Sequence, residues 1–127
     1  MDILLDTHAA IWFFEDDIRL SKASIEAICD LDNMIYISIA SLWELAVKLS
    51  IGKLEFYGGI DGFIETTLKN EFIFLKISPE HIQTVTKLPF IHRDPFDRMI
   101  VAQATVEDMA IVTTDDNILK YNINPIW

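Results

Sequence analysis

Four acidic residues, Asp6, Glu44, Asp97 and Asp115, occupy one kind of place in the chain, just beyond an apolar run or in the first turn of the helical stretch that follows. Asp6 closes the run Ile3-Leu4-Leu5, Glu44 follows Met34 to Ile39, Asp97 comes two residues after Pro95, and Asp115 follows Ala110-Ile111-Val112-Thr113. Short continuous apolar runs of this kind read as strands buried on both faces of a parallel sheet. Ligands of such sheets bind in the crevice outside the carboxyl ends of the strands, so four acids placed this way can share one crevice. Clustered carboxylates raise one another's proton affinity, and a divalent cation relieves the repulsion. Hard oxygen donors suit Mg²⁺, or Mn²⁺ in its place, rather than zinc.

Each acid also has a structural explanation. Glu44 lies three residues after Ser41, the spacing of a capping box. Asp94 before Pro95 is a natural helix cap, with Asp97 favourably placed in the first turn. Asp115-Asp116 suits a turn. Asp6 is the hardest to explain so, because an acid directly after a buried strand is costly unless something pairs with it. The joint placement of all four favours a metal site. His8, His81 and His92 lack zinc-type spacing and read as solvated or hydrogen-bonding residues. No nucleophile elbow and no glycine-rich phosphate loop is present. A haloacid-dehalogenase-type phosphatase would carry a second Asp where His8 stands, and a response-regulator receiver would carry a Lys at the end of its last strand.

The elements that must position these acids alternate along the chain. A helix over Thr7 to Phe14 follows the first strand. A second, capped by Ser21, shows the apolar stripe Ile25, Ile28, Cys29 and Leu31. Ser78-Pro79 opens another helix, and Pro95 opens one that turns Ile100, Val101 and Ala104 inward. The expected architecture is a single α/β domain over 1–127, an α/β/α sandwich with a mainly parallel sheet of about five strands. Trp12, Phe13 and Phe14 cannot all face inward, which makes part of that cluster a candidate dimer or partner surface. The lone Cys29 reads as a small buried hydrophobe in a reducing compartment. With 127 residues, 51% of them hydrophobic, the chain has no apolar stretch near the roughly 20 residues that span a bilayer, so a cytoplasmic location is expected. A net charge of −10 argues against gripping nucleic acid through a broad basic surface, and leaves a cation-recruiting acidic site or a basic partner.

Four stretches in order, Leu4-Leu5-Asp6-Thr7-His8, Ser38-Ile39-Ala40-Ser41-Leu42-Trp43-Glu44-Leu45, His92-Arg93-Asp94-Pro95-Phe96-Asp97-Arg98 and Val112-Thr113-Thr114-Asp115, give the chain a specific likeness. It resembles the PIN-domain family, and within it the VapC toxins of bacterial type II toxin-antitoxin systems. The resemblance implies a Mg²⁺-dependent endoribonuclease in which Asp6, Glu44 and Asp97 are the catalytic metal ligands, Asp115 a more variable fourth and Asp116 an adjacent candidate. Thr7 and Thr113 correspond to the family's small polar residues near the metal, and Ser41 belongs with them as a supporting residue. Arg93 and Arg98 flank the acids and are candidates for holding phosphates, Arg98 alternatively pairing with a carboxylate. Products with 5′-phosphate and 3′-hydroxyl ends, a homodimer and a cognate antitoxin that enters the groove are further implications. Specificity for the RNA is expected at the rim and its loops, such as Gly52 to Gly62. The competing readings are a non-enzymatic PIN-like interaction module and a metal-dependent DNA nuclease or phosphatase on the same scaffold.

Overall fold

The computed structural model describes the whole chain, Met1–Trp127. Five strands, β1 (Asp2–Leu5), β2 (Met34–Ser38), β3 (Ile73–Leu75), β4 (Ala110–Val112) and β5 (Pro125–Ile126), form one sheet in the order β3-β2-β1-β4-β5. Every pairing is parallel, so the sheet is wholly rather than mainly parallel. Parallel neighbours need crossovers, and these are six helices: α1 (Thr7–Phe14), α2 (Lys22–Cys29), α3 (Ile39–Ser50), α4 (Gly59–Lys69), α5 (Pro79–Val85) and α6 (Pro95–Glu107). No helix is long and apolar enough to cross a membrane.

The period of two along the central strands sorts the core into two layers. Ile3, Leu5, Ile35, Ile37, Ala110 and Val112 face one side, where they pack with Ala10, Ile28, Leu45 and Phe63 of α1 to α4. Leu4 and Ile111 face the other, against Ile100, Val101 and Ala104 of α6. Both faces of β1 are therefore dry, and its three residues Ile3, Leu4 and Leu5 have no exposed area. The strand order reverses between β1 and β4, and the carboxyl ends of these two strands open the crevice that such a reversal creates.

Local signals account for most boundaries. Ser21, Ser38 and Ser78 cap α2, α3 and α5 through their hydroxyls, and Pro79 and Pro95 stand in first turns. His81 completes a capping box with Ser78 and is 2% exposed, so it is a buried hydrogen-bonding residue rather than a solvated one. In α2 the expected stripe is corrected: only Ile28 of the four is buried, Cys29 is exposed, and Leu31 is 99% exposed. The helix buries Ser24 and Ile28, four residues apart, which turns Ile25 and Cys29 toward the edge, and it ends before Leu31. Phe13 and Phe14 pack into an aromatic group with Phe56, Phe63 and Phe72, while Trp12 turns toward the C-terminal Trp127.

Candidate active site at the switch point

Asp6 directly follows β1 and is 5% exposed. It is the N-cap of α1: Oδ1 accepts the Ala9 N–H at 2.7 Å, and Oδ2 accepts the Thr113 hydroxyl at 2.5 Å from the end of β4. The residue whose acid had no ready structural explanation thus has one. The peptide N–H of Asp6 also donates to the Val112 carbonyl, which extends the β1–β4 ladder to the site itself. Burial pushes the Asp6 carboxyl above its ordinary range against the pull of the Thr113 and Ala9 hydrogen bonds and of His8, with the Asp115 charge adding to the rise.

Glu44 has no capping role, because α3 begins at Ile39 with Ser38 as its cap and Glu44 lies beyond its first turn. Its carboxylate is 3% exposed and held on both oxygens. Lys48, one helical turn on, reaches Oε2 at 2.8 Å, and Thr7 Oγ1 lies 2.7 Å from Oε1 and 2.9 Å from Ser41 Oγ. A hydroxyl has one hydrogen and a carboxylate can only accept, so Thr7 donates to Glu44 and Ser41 to Thr7. The hydrogen bond to Glu44 raises the Lys48 pKa above that of a free lysine.

Asp94 caps α6 by accepting the Phe96 and Asp97 N–H groups, which sets Asp97 in the first turn with its side chain 17% exposed. Burial first, then the Asp94, Asp115 and Glu44 charges, push the Asp97 pKa up to about 7, against a lowering hydrogen bond from His92. Asp97 thus feels acids from α3 and from beyond β4. His92 Nε2 is 3.2 Å from Asp97 Oδ2, its Nδ1 is 2.9 Å from the Tyr121 hydroxyl, and Arg98 donates to the same hydroxyl at 3.0 Å. The hydrogen bond lowers the Asp97 pKa, so Nε2–H donates to Asp97; in the neutral ring Nδ1 then accepts the Tyr121 hydroxyl, whose oxygen accepts from Arg98.

Asp115 is half-buried, accepts the Asn117 and Ile118 N–H groups, and donates its own N–H to the Thr113 hydroxyl that holds Asp6. Asp116 is exposed and lines a cleft with Asp6 and Asp115. Arg98 does not face the acids. It is 6% exposed and spends its other bonds on the Pro89 and Val85 carbonyls, so it ties down the irregular connection before α6. Arg93 is exposed and lines a separate apolar groove with Trp43 and Phe96. The Gly52 to Gly62 stretch is partly helical, since α4 starts at Gly59.

The structure thus links the four acids in series, Asp115 acting on both Asp6 and Asp97 and Glu44 acting on Asp97, while Thr113 donates to Asp6 and Thr7, backed by Ser41, donates to Glu44. No three acidic or imidazole side chains lie close enough together, as they stand, to hold an ion. Asp6 and Asp97, pushed above the ordinary carboxylate range by burial, are the acids whose charge a hard divalent cation would relieve, with Glu44 and Asp115 as further oxygen donors. Lys48 and His92 are site residues the sequence reading left out. Lys48 carries a legible signal, the four-residue helical spacing from Glu44. His92 carries a weaker one, five residues before Asp97 in the same proline-bounded connection.

A wholly parallel three-layer α/β domain with buried acids at its topological switch point is the class that these features define. The chain matches the PIN domain family over residues 3–124. It is 31% identical over 121 residues to ribonuclease VapC22 of Mycobacterium tuberculosis, an alignment covering 89% of this chain and 86% of the relative. The fold is shared with a chain of the VapBC2 structure from Rickettsia felis bound to a promoter DNA fragment, with a TM-score of 0.73, 15% identity and full coverage of both chains. A chain of VapBC-1 from nontypeable Haemophilus influenzae gives a TM-score of 0.72 at 15% identity, covering 98% of this chain and 96% of that one. The chain belongs to the PIN-domain family, on the side of its VapC members.

Proposed function

We propose that this protein is a divalent-metal-dependent endoribonuclease, the toxin of a type II toxin-antitoxin pair, with Mg²⁺ the metal and Mn²⁺ its substitute. The observation that carries the reading is the placement of Asp6, Glu44, Asp97 and Asp115 around the β1/β4 switch point, with Thr113 of the β4 end holding Asp6 and Thr7 of α1 holding Glu44, in a chain similar to ribonuclease VapC22 along most of its length. These four acids are the proposed ligands. A metal bound there supplies Lewis acidity: it lowers the pKa of a water and stabilises the leaving oxygen of a phosphodiester.

The chain's own residues prepare that chemistry. Thr113 and the Ala9 N–H fix both oxygens of Asp6, and Thr7, backed by Ser41, fixes one oxygen of Glu44. His92, held by Tyr121, donates to Asp97 and so favours its ionised form, the form that can act as a ligand. Lys48 neutralises Glu44 while no other cation is near. Asp116, exposed beside Asp115, is a reserve acid at the rim. The relatives described as VapBC complexes support a cognate antitoxin as partner, and a basic one suits a chain of net charge −10. A homodimer in the cytoplasm completes the proposal.

A second reading, a non-enzymatic interaction module, draws on one observation: Glu44 already has a lysine for a partner and no three ligands are assembled. One assay separates them. Purified protein is incubated with single-stranded and structured RNA, with Mg²⁺ or EDTA, beside an identically prepared Asp97→Asn variant. Cleavage that needs both Mg²⁺ and Asp97 establishes the enzyme; cleavage unchanged in the variant or in EDTA refutes this site.

A further inference from the structure

A cleft of about 360 Å³ is lined by Asp6, Asp115 and Asp116, by Thr114, and by His8, Trp12, Arg19 and Trp127, without Glu44 or Asp97. Trp12 and Trp127 come from opposite ends of the chain and meet edge to face at 6.0 Å. The His8 ring lies 5.8 Å from that of Trp12, at the mouth shared with Asp6. Arg19 lies over the Trp12 ring, 4.7 Å from its centre. Its Nε and one terminal nitrogen bond Asp17 at 3.1 and 2.7 Å, which fixes the guanidinium plane and leaves the other terminal nitrogen with no protein hydrogen bond. Trp127 is 37% exposed and lines the cleft, so part of its indole is accessible there.

We propose that this cleft is the subsite for the nucleotide next to the scissile phosphate, with its base stacked on Trp127 and its phosphate held by Arg19 and His8. The inference rests on the ribonuclease reading for the word scissile, and on the cleft's own chemistry for the word nucleotide. Single-stranded RNA is bound by stacking unpaired bases on aromatic rings and arginine planes, while cations take the phosphates. An arginine oriented by an acid and stacked on an indole loses little freedom when it takes up a phosphate oxygen. The placement also bears on how a chain of net charge −10 can bind a polyanion: an oriented guanidinium, Arg19, lines the cleft that adjoins the carboxylates. Trp43 provides an internal control. It is 63% exposed and pairs with Phe96 in the separate groove.

The test uses 5′-mononucleotides, which contain no phosphodiester to cleave, titrated with Mg²⁺ into the full protein while the indole N–H signals of the three tryptophans are followed by NMR. The expected result is a saturable shift of Trp127 and Trp12 with Trp43 unmoved, weakened about three- to tenfold in Arg19→Gln and about tenfold or more in Trp127→Ala. In RNA cleavage the same two variants raise KM by similar factors with kcat nearly unchanged, a split that a general loss of structure does not produce. Cleavage of RNA by the wild-type protein together with no shift, or with equal shifts at Trp43, overturns the subsite and leaves the ribonuclease reading standing. Selective shifts in a protein that cleaves no RNA uphold the nucleotide site and overturn the ribonuclease reading.

Discussion

Replacing Asp97 with Asn tests the electrostatic account of the site with a measurable magnitude. In the metal-free protein burial and the neighbouring acids raise the Asp97 pKa from 3.8 to about 7. A folded-state pKa above the unfolded one means that the native protein holds the proton more tightly, so stability falls as pH rises between the two values. At about 1.4 kcal/mol per pH unit, raising the pH from about 5 to about 8 withdraws roughly 3 kcal/mol through this group, the loss levelling off above pH 7. Asn has no charge to lose. Its side-chain oxygen can still accept from His92, so the pH-dependent part of the difference isolates the carboxylate. In EDTA the Tm of Asp97→Asn relative to wild type is therefore expected to climb by roughly 6–12 °C between pH 5 and pH 8, at roughly 2–4 °C per kcal/mol for a domain of this size. Added Mg²⁺ should stabilise the wild type at pH 8 and leave the variant nearly unmoved. The assay is thermal unfolding at several pH values with and without metal. A Tm difference flat across this pH range would refute the claim that Asp97 sits among uncompensated acids.

Other predictions concern the residues that hold the acids. Tyr121→Phe removes the hydroxyl that joins Arg98 to His92; it should cost about 1–3 kcal/mol in stability and move the Mg²⁺ midpoint of cleavage upward by roughly tenfold, read from a metal titration. Lys48→Met leaves the buried Glu44 without its cation, and a loss of about 1–2 kcal/mol in denaturant unfolding is expected, smaller than for a fully buried pair because Lys48 is 36% exposed. Away from the site, Gly62→Ala should lower stability by about 1–3 kcal/mol with cleavage per folded molecule unchanged, since a Cβ there would meet the Tyr57 carbonyl oxygen at 2.4 Å.

Several features of this protein are local, and a linear sequence carries them. Apolar runs mark β1, β2 and β4 because both faces of a central parallel strand are dry, and serine or aspartate followed by proline marks the starts of α5 and α6 because the caps act within three residues. The acids beyond those runs are legible for the same reason. The apolar stripe expected for α2 fails because a helix of eight residues offers too few turns to fix its phase, which leaves Cys29 exposed, and because the helix ends before Leu31. What only tertiary structure decides is which partners complete each acid. Thr113 reaches Asp6 across 107 residues, Thr7 reaches Glu44 across 37, and Tyr121 commits both His92 and Arg98 from 29 and 23 residues away. Arg98, adjacent to Asp97 in sequence, points to the Pro89 and Val85 carbonyls instead, because successive residues of a helix diverge by about 100°. Sequence spacing sets what a helix or strand presents on each face; the choice among distant donors is made by the packing of one element against another.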